Sequence, residues 1–211
     1  MTPAEVRRFQ ASGLYTDWLG QALKVDGVLG PKTEWAIALS KLPEWRQAII
    51  RECVAHLGLR EQPPGSNRGP EIDSWLRACG VPLGSPWCAA SASYCMRTGA
   101  PDQWRARFGS VLGVAGALEL GRRIGRITEK PLPGDYACYP TDDTGHGHGF
   151  LVGGANAAEV LTYEGNQRNE YRCLRRSRAG LLFYSLGAPF GSAPGVPDSV
   201  EFVQTNAAGT R

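Results

Sequence analysis

Apolar residues recur at helical spacing over the first part of the chain and at strand spacing after Pro131, so the pattern divides the molecule in two. Val6, Phe9 and Leu14 predict a first short helix and Trp18, Leu19, Ala22 and Leu23 a second. The run Asp26-Gly27-Val28-Leu29-Gly30-Pro31 predicts a turn, and Lys32-Thr33-Glu34-Trp35-Ala36-Ile37 opens a third helix. From Leu42 a second unit begins. Trp45, Ile49 and Cys53, with Ile50, Val54 and Leu57 beside them, mark an amphipathic helix stopped by Gly58. After a polar loop over 61–69, Pro70 starts a helix whose Ile72, Trp75, Leu76 and Cys79 share a face. Ser85 reads as a cap and Pro86 as the first position of a helix reaching Gly99, with further helical segments at 103–108 and 114–124. Short β-prone runs follow at 136–139, 148–152, 160–164, 171–174 and 181–185, separated by Gly, Pro, Asn or Asp turns. Helices first and an antiparallel meander second predict an α+β fold. Beyond Gly187 the Ala, Gly, Pro and Ser content predicts a loosely held tail over 188–211.

Composition narrows the function. A chain of 211 residues with 42% hydrophobic and 20% charged residues is long enough for a packed core. A formal net charge of +3 would favour approach to an anionic polymer such as a bacterial wall but is too small and scattered for nucleic-acid binding. The arginines at 168, 172, 175, 176 and 178 read as a solvated strand edge. No segment has membrane-spanning length, and residues 1–10 lack a signal-peptide core, so the chain is expected to be made in a cytoplasm without a Sec signal. The six cysteines form no CxxC pair; Cys53, Cys79, Cys95, Cys138 and Cys173 are expected to be packing thiols. His146-Gly147-His148 offers two nitrogens, but no HExxH or paired CxxC completes a zinc site, and neither metal nor cofactor is expected.

Cys88 differs from the other cysteines because it falls in the first turn of its helix, where unpaired amides and the helix dipole favour thiolate. A thiolate nucleophile needs an imidazole to balance its charge and later protonate a leaving amine. His146 and His148, two apart at the mouth of the Phe150-Leu151-Val152 strand, both qualify, whereas His56 sits near a helix end as a dipole-compensating residue. Glu164 and Asn166, two apart at the end of the next strand, supply polar groups to orient the ring. The Cys88 amide is a candidate oxyanion donor, and the loop around Asn67 and Arg68 is where a second would lie. A glycosidase would instead use Glu61 or Glu71 as a carboxylic acid.

Two resemblances give these residues a context. Val25-Asp26-Gly27-Val28-Leu29-Gly30-Pro31-Lys32-Thr33 resembles the DGxxGPxT turn of the type 1 peptidoglycan-binding domain, which implies a three-helix wall-binding module over 1–41, with Asp26, Gly27, Gly30 and Trp35 as its residues. Five ordered strings, Asn67-Arg68-Gly69-Pro70-Glu71-Ile72-Asp73, Pro86-Trp87-Cys88-Ala89-Ala90, Pro131-Leu132-Pro133-Gly134-Asp135, Gly147-His148-Gly149-Phe150-Leu151-Val152 and Glu164-Gly165-Asn166, resemble the CHAP branch of the NlpC/P60 superfamily. That resemblance implies a papain-like cysteine amidase or endopeptidase over 42–187 that acts on the peptide part of bacterial peptidoglycan. It assigns Cys88 as nucleophile, His148 as base, and Glu164 and Asn166 as orienters, and Asn67, Arg68 and Trp87 are expected substrate contacts. Phe150 departs from the pattern, since the family usually has a small residue two places after its histidine, and His146 offers a competing register. The expected protein is a monomeric phage endolysin, an interbacterial toxin of the same chemistry, or a wall-binding protein with an inert catalytic domain.

Overall fold

A computed structural model of the chain describes residues 1–99, 127–139 and 147–185. The helices at 103–108 and 114–124, the tail and His146 lie outside these described residues. Within them are helices α1 (Pro3–Ala11), α2 (Pro31–Ser40), α3 (Glu44–Ala55), α4 (Pro70–Ala78) and α5 (Cys88–Gly99). Strands β1 (Tyr136–Tyr139), β2 (His148–Ala155), β3 (Glu159–Gln167), β4 (Glu170–Ser177) and β5 (Leu182–Tyr184) follow. They form one antiparallel sheet in the order β4-β3-β2-β1-β5, so the fold is α+β, helices first and meander second.

Local chemistry explains most boundaries. Thr2 and Glu5 close a capping box around α1, and Pro31 and Pro70 occupy the openings of α2 and α4, where no amide donor is needed. The helix expected around Trp18, Leu19, Ala22 and Leu23 does not form, so residues 1–41 contain two helices rather than three. Asp17 is the cause: its carboxylate accepts from the amides of Leu19 and Gln21, both at 2.9 Å, and its own amide donates to the Gln21 carbonyl at 2.8 Å. Those bonds satisfy the backbone in a closed loop and compete with a helix. Leu14, expected on α1, lies beyond its end and is exposed.

The main core lies between the helices and one face of the sheet. Ile49, Ile50 and Cys53 of α3, Ile72, Trp75 and Leu76 of α4, and Cys95 of α5 pack with Leu151, Leu161, Tyr163 and Tyr171. Trp18, Leu23, Trp35 and Leu39 belong to the same cluster, so the N-terminal segment shares this core. Two long-range hydrogen bonds fasten it: the Trp35 indole donates to the Gly153 carbonyl at 2.7 Å, and the Tyr163 hydroxyl donates to the Trp18 carbonyl at 2.8 Å. Gly153 is the extra residue of a bulge in β2, which leaves its carbonyl free for the indole. The other sheet face carries a smaller cluster that includes Phe150, Val152, Val160 and Phe183. Arg46 of α3, almost fully buried, pairs with Asp135 at 2.9 Å and donates to the Pro133 carbonyl at 2.7 Å, anchoring the entry to β1. Asp135 thus orders the turn before the first strand, its other carboxylate oxygen accepting the Leu132 amide at 2.8 Å.

Candidate active site

The first intrahelical bond of α5 runs from the Ser91 amide to the Trp87 carbonyl at 2.9 Å, so Cys88 is the first helical residue. The expected cap therefore moves: Ser85 donates its amide to the Pro82 carbonyl in a preceding turn, and Pro86 stands before the helix rather than inside it. The thiol nonetheless occupies the helix mouth with 9% of the residue exposed. The amides of Ala89 and Gly149 and the side chain of His148 all hydrogen-bond to the sulfur. Burial opposes its ionisation, but these partners outweigh burial and hold the Cys88 thiol below the ordinary thiol range. Gly149 can approach because it has no side chain; a Cβ there would lie 1.8 Å from the Tyr136 hydroxyl oxygen.

His148 is the first residue of β2 and meets Cys88 at one end of the sheet. Its Nε2 lies 2.9 Å from Glu164 Oε2, and the same ring hydrogen-bonds the Cys88 sulfur. The side-chain amide of Gln167 lies 2.9 Å from the same Nε2. Burial works against the imidazolium, but the Cys88 and Glu164 partners raise His148 to about 9. A depressed thiol beside a raised imidazole favours the thiolate–imidazolium form of the pair.

Glu164 is fully buried and still charged. Burial alone would raise its carboxyl; Arg176, His148 and Thr162 overcome that and lower it. Arg176 Nη2 donates to Oε2 at 2.6 Å, its Nε donates to Oε1, and the Thr162 hydroxyl also donates to Oε1. A buried carboxylate with four hydrogen bonds from three side chains satisfies the rule that buried charge must be paired and hydrogen-bonded.

A bulge in β3 brings Gln167 into this group. Glu164 pairs with Arg172 and Gln167 with Glu170, so two residues of β3 oppose one of β4. Residues three apart face opposite sides of a regular strand; the extra residue restores Gln167 to the Glu164 face. Asn166, with φ of 60°, turns to donate to Asn67 Oδ1 at 3.2 Å. The hairpin turn proper is Arg168-Asn169, with φ of 53° and 65°, a type I′ pair. Gly165 is required by packing, since a Cβ would lie 2.2 Å from Ser91 Oγ and 2.6 Å from the Trp87 ring.

The remaining expected contacts fall in three places. Trp87 is fully buried and donates to Glu61 Oε1 at 2.9 Å, so it is a core residue and not a substrate contact. Glu61 also accepts the Asn67 amide at 3.0 Å, which engages both of its oxygens, while Glu71 is exposed on the first turn of α4. Asn67, half-buried, spans to the Gly84 carbonyl at 3.1 Å, and Arg68 is forked onto Asp73 at 2.8 and 2.9 Å. In the N-terminal turn, Asp26 accepts the Val28 amide at 2.9 Å, Gly27 adopts φ of 77°, and Gly30 precedes Pro31 at the opening of α2. Trp35, named with these residues in the expected wall-binding module, is 1% exposed and locked to Gly153.

Arg176 and Thr162 are site residues that the sequence reading left out. Arg176 was hidden in a basic run, and only its register opposite Val160 puts it on the Thr162 and Glu164 face. All six cysteines are free thiols, and no cluster of three His, Cys, Asp or Glu side chains among the described residues could hold a metal. No helix among the described residues is long and apolar enough to cross a membrane. No protein-family model, curated protein or solved structure matches this chain.

Proposed function

We propose that the chain is a papain-like thiol hydrolase that cleaves an amide bond in the peptide part of bacterial peptidoglycan. The observation that carries this reading is the Cys88–His148–Glu164 relay: a helix-mouth sulfur, an imidazole on β2 and a charged carboxylate 2.9 Å behind it on β3. The Cys88 sulfur attacks the amide carbonyl carbon, and the tetrahedral oxyanion meets the Cys88 amide at the α5 mouth. His148 gives its proton to the departing amine, leaving an acyl thioester on Cys88. Water then attacks that thioester while His148 takes the water's proton, and the free acid leaves as the thiol pair is restored. Glu164 keeps the ring oriented through both steps and balances its charge.

The wall as substrate rests on the five ordered strings and on the Asp26–Gly30 turn, which resemble families acting on or holding peptidoglycan. The turn's polar residues serve the fold, so we assign wall contact to its exposed apolar rim, Val25, Val28 and Leu29, rather than to Trp35. Among wall-acting hydrolases, an endolysin is the reading we favour. Both oxygens of Glu61 are engaged, which weighs against a carboxylic-acid glycosidase. Digestion of purified sacculi followed by mass spectrometry of the fragments tests the proposal, with Cys88→Ser alongside. New free amines without new reducing ends, lost in the variant, are expected; reducing ends, or cleavage that survives in the variant, would overturn it.

A further inference from the structure

Phe150 occupies a position where the resembled family has a small residue, and Arg176 lies in a run of basic residues that looks solvated. The fold brings the two together on the sheet face that carries Glu164. The Arg176 guanidinium stands 5.8 Å from the Phe150 ring centroid and 5.7 Å from that of Tyr139, so two aromatic faces support its plane. Phe150 also packs against the His148 ring, with centroids 5.6 Å apart. From that platform the guanidinium forks onto both oxygens of Glu164, and the Arg176 side chain is 22% exposed against 0% for Glu164.

A carboxylate buried this completely has two ways to be neutralised, by a proton or by a cation. A proton on Glu164 would remove the acceptor that orients His148 Nε2. A cation keeps the carboxylate ionised and, through its fixed fork, decides which oxygen faces the ring. We propose that Arg176, braced by Phe150 and Tyr139, is a positioning residue that keeps Glu164 ionised and aimed at His148, and that its charge sets the pH range over which the Cys88–His148 pair is active. The proposal rests on the thiol-hydrolase reading of this site. It makes Phe150 part of the same device.

Among the described residues, the titratable and charged groups around the pair come from four elements: Cys88 of α5, Tyr136 and Tyr139 of β1, Glu164 of β3, and Arg172, Cys173 and Arg176 of β4, with Arg172 opposite Glu164 in register. Among these, Arg176 supplies the permanent positive charge that touches Glu164. Its removal makes a nearby anion harder to form and a nearby cation easier to keep, and it lets Glu164 take up a proton at higher pH. The first of these moves the thiolate's acid limb upward.

Iodoacetamide alkylation of Cys88, followed by mass spectrometry of its peptide across pH, reads that limb without any substrate. Arg176→Met is expected to move the acid limb up by about one pH unit, and Arg176→Lys, which keeps the charge but not the fork, by less than half of that. A residue that merely supported folding would lower the rate at every pH, leave the limb in place and affect both variants alike; that outcome would overturn the proposal. The Glu164→Gln background supplies an independent check, because a residue acting through Glu164 should shift the limb little once the carboxylate is gone. An undiminished shift there would also overturn it. If wild-type Cys88 shows no thiolate below the ordinary thiol range, the hydrolase reading itself fails, whereas a wild-type limb unmoved by Arg176→Met sinks only the role of Arg176.

Discussion

Two polar networks in this molecule are built from similar residues and end differently. Around Gln10, which is 5% exposed, the side-chain amide donates to Asp26 Oδ1, the Val28 carbonyl and Thr33 Oγ1, each at 3.1 Å. Its oxygen accepts the amides of Asp26 and Gly27 at 3.1 and 2.8 Å. Most of these bonds terminate on the backbone of the turn, and no nucleophile is among their members. Around His148 the bonds run from side chain to side chain, Arg176 to Glu164 to His148, and finish on a sulfur at a helix mouth. A network that closes on the backbone fixes the shape of the chain. One that closes on an ionised thiol holds a reactive atom in readiness.

The sharpest way to break this contrast is to remove the sulfur. Cys88→Ala is expected to lower sacculus hydrolysis by about three orders of magnitude or more, with sacculus binding retained and thermal unfolding little changed; substantial residual turnover would mean that the relay is not the reaction centre. Glu164→Gln comes next. It leaves an acceptor near His148 but strands the Arg176 charge, and roughly a hundredfold loss of kcat/KM is expected. Gly165→Ala should act through packing instead, because its Cβ collides with Ser91 and Trp87 and forces α5 away from β3. A stability loss of roughly 1–3 kcal/mol in denaturant unfolding is expected from such overpacking, together with slower Cys88 alkylation. Gln10→Ala is the matching test of the other network: about 1–3 kcal/mol of stability lost, with the alkylation rate of Cys88 unchanged. A change in thiol reactivity there would erase the distinction between the two networks.

The same contrast explains what could be read from the residues. Helices α3 and α4 and all five strands carry strong periodicity and explicit Gly or Pro punctuation, and they stand where the pattern put them. The segment around Trp18 has helical spacing too, yet one short carboxylate, Asp17, captures its amides and closes a loop. Cys88 and His148 were legible because each opens an element, where chemistry is recognisable from local sequence, and Glu164 because it directly precedes the Gly165-Asn166 turn signal. Gln167 and Arg176 were not. Gln167 reaches the ring only because a bulge reverses the alternation of β3, and Arg176 is one of several arginines, separated from the solvated ones by register alone. Trp35 and Trp87 mislead in the opposite sense: both adjoin motif residues, but each spends its indole proton on a buried acceptor, Gly153 and Glu61 respectively.

The gentlest perturbation of the relay is pH. His148 in the folded chain is raised to about 9 from an ordinary value near 6.5, so its protonation contributes stability that is fully present below about 6.5 and fades as pH rises through about 9. Cys88, shifted downward, adds stability that is lost as pH falls through its folded value. Between these limits the pair is intact. Turnover needs the imidazolium proton for the leaving amine, whereas alkylation needs only the thiolate, so the two activities should separate on the alkaline side. Between pH 8 and 9 turnover should fall only about twofold, and near tenfold for each further unit, while iodoacetamide continues to modify Cys88. In Glu164→Gln the turnover limb should move to lower pH, because one of the partners that raise His148 loses its charge. An alkaline limb that coincides for turnover and alkylation, or that ignores Glu164→Gln, would mean that the ring is not the proton donor and that the second network, like the first, is only architecture.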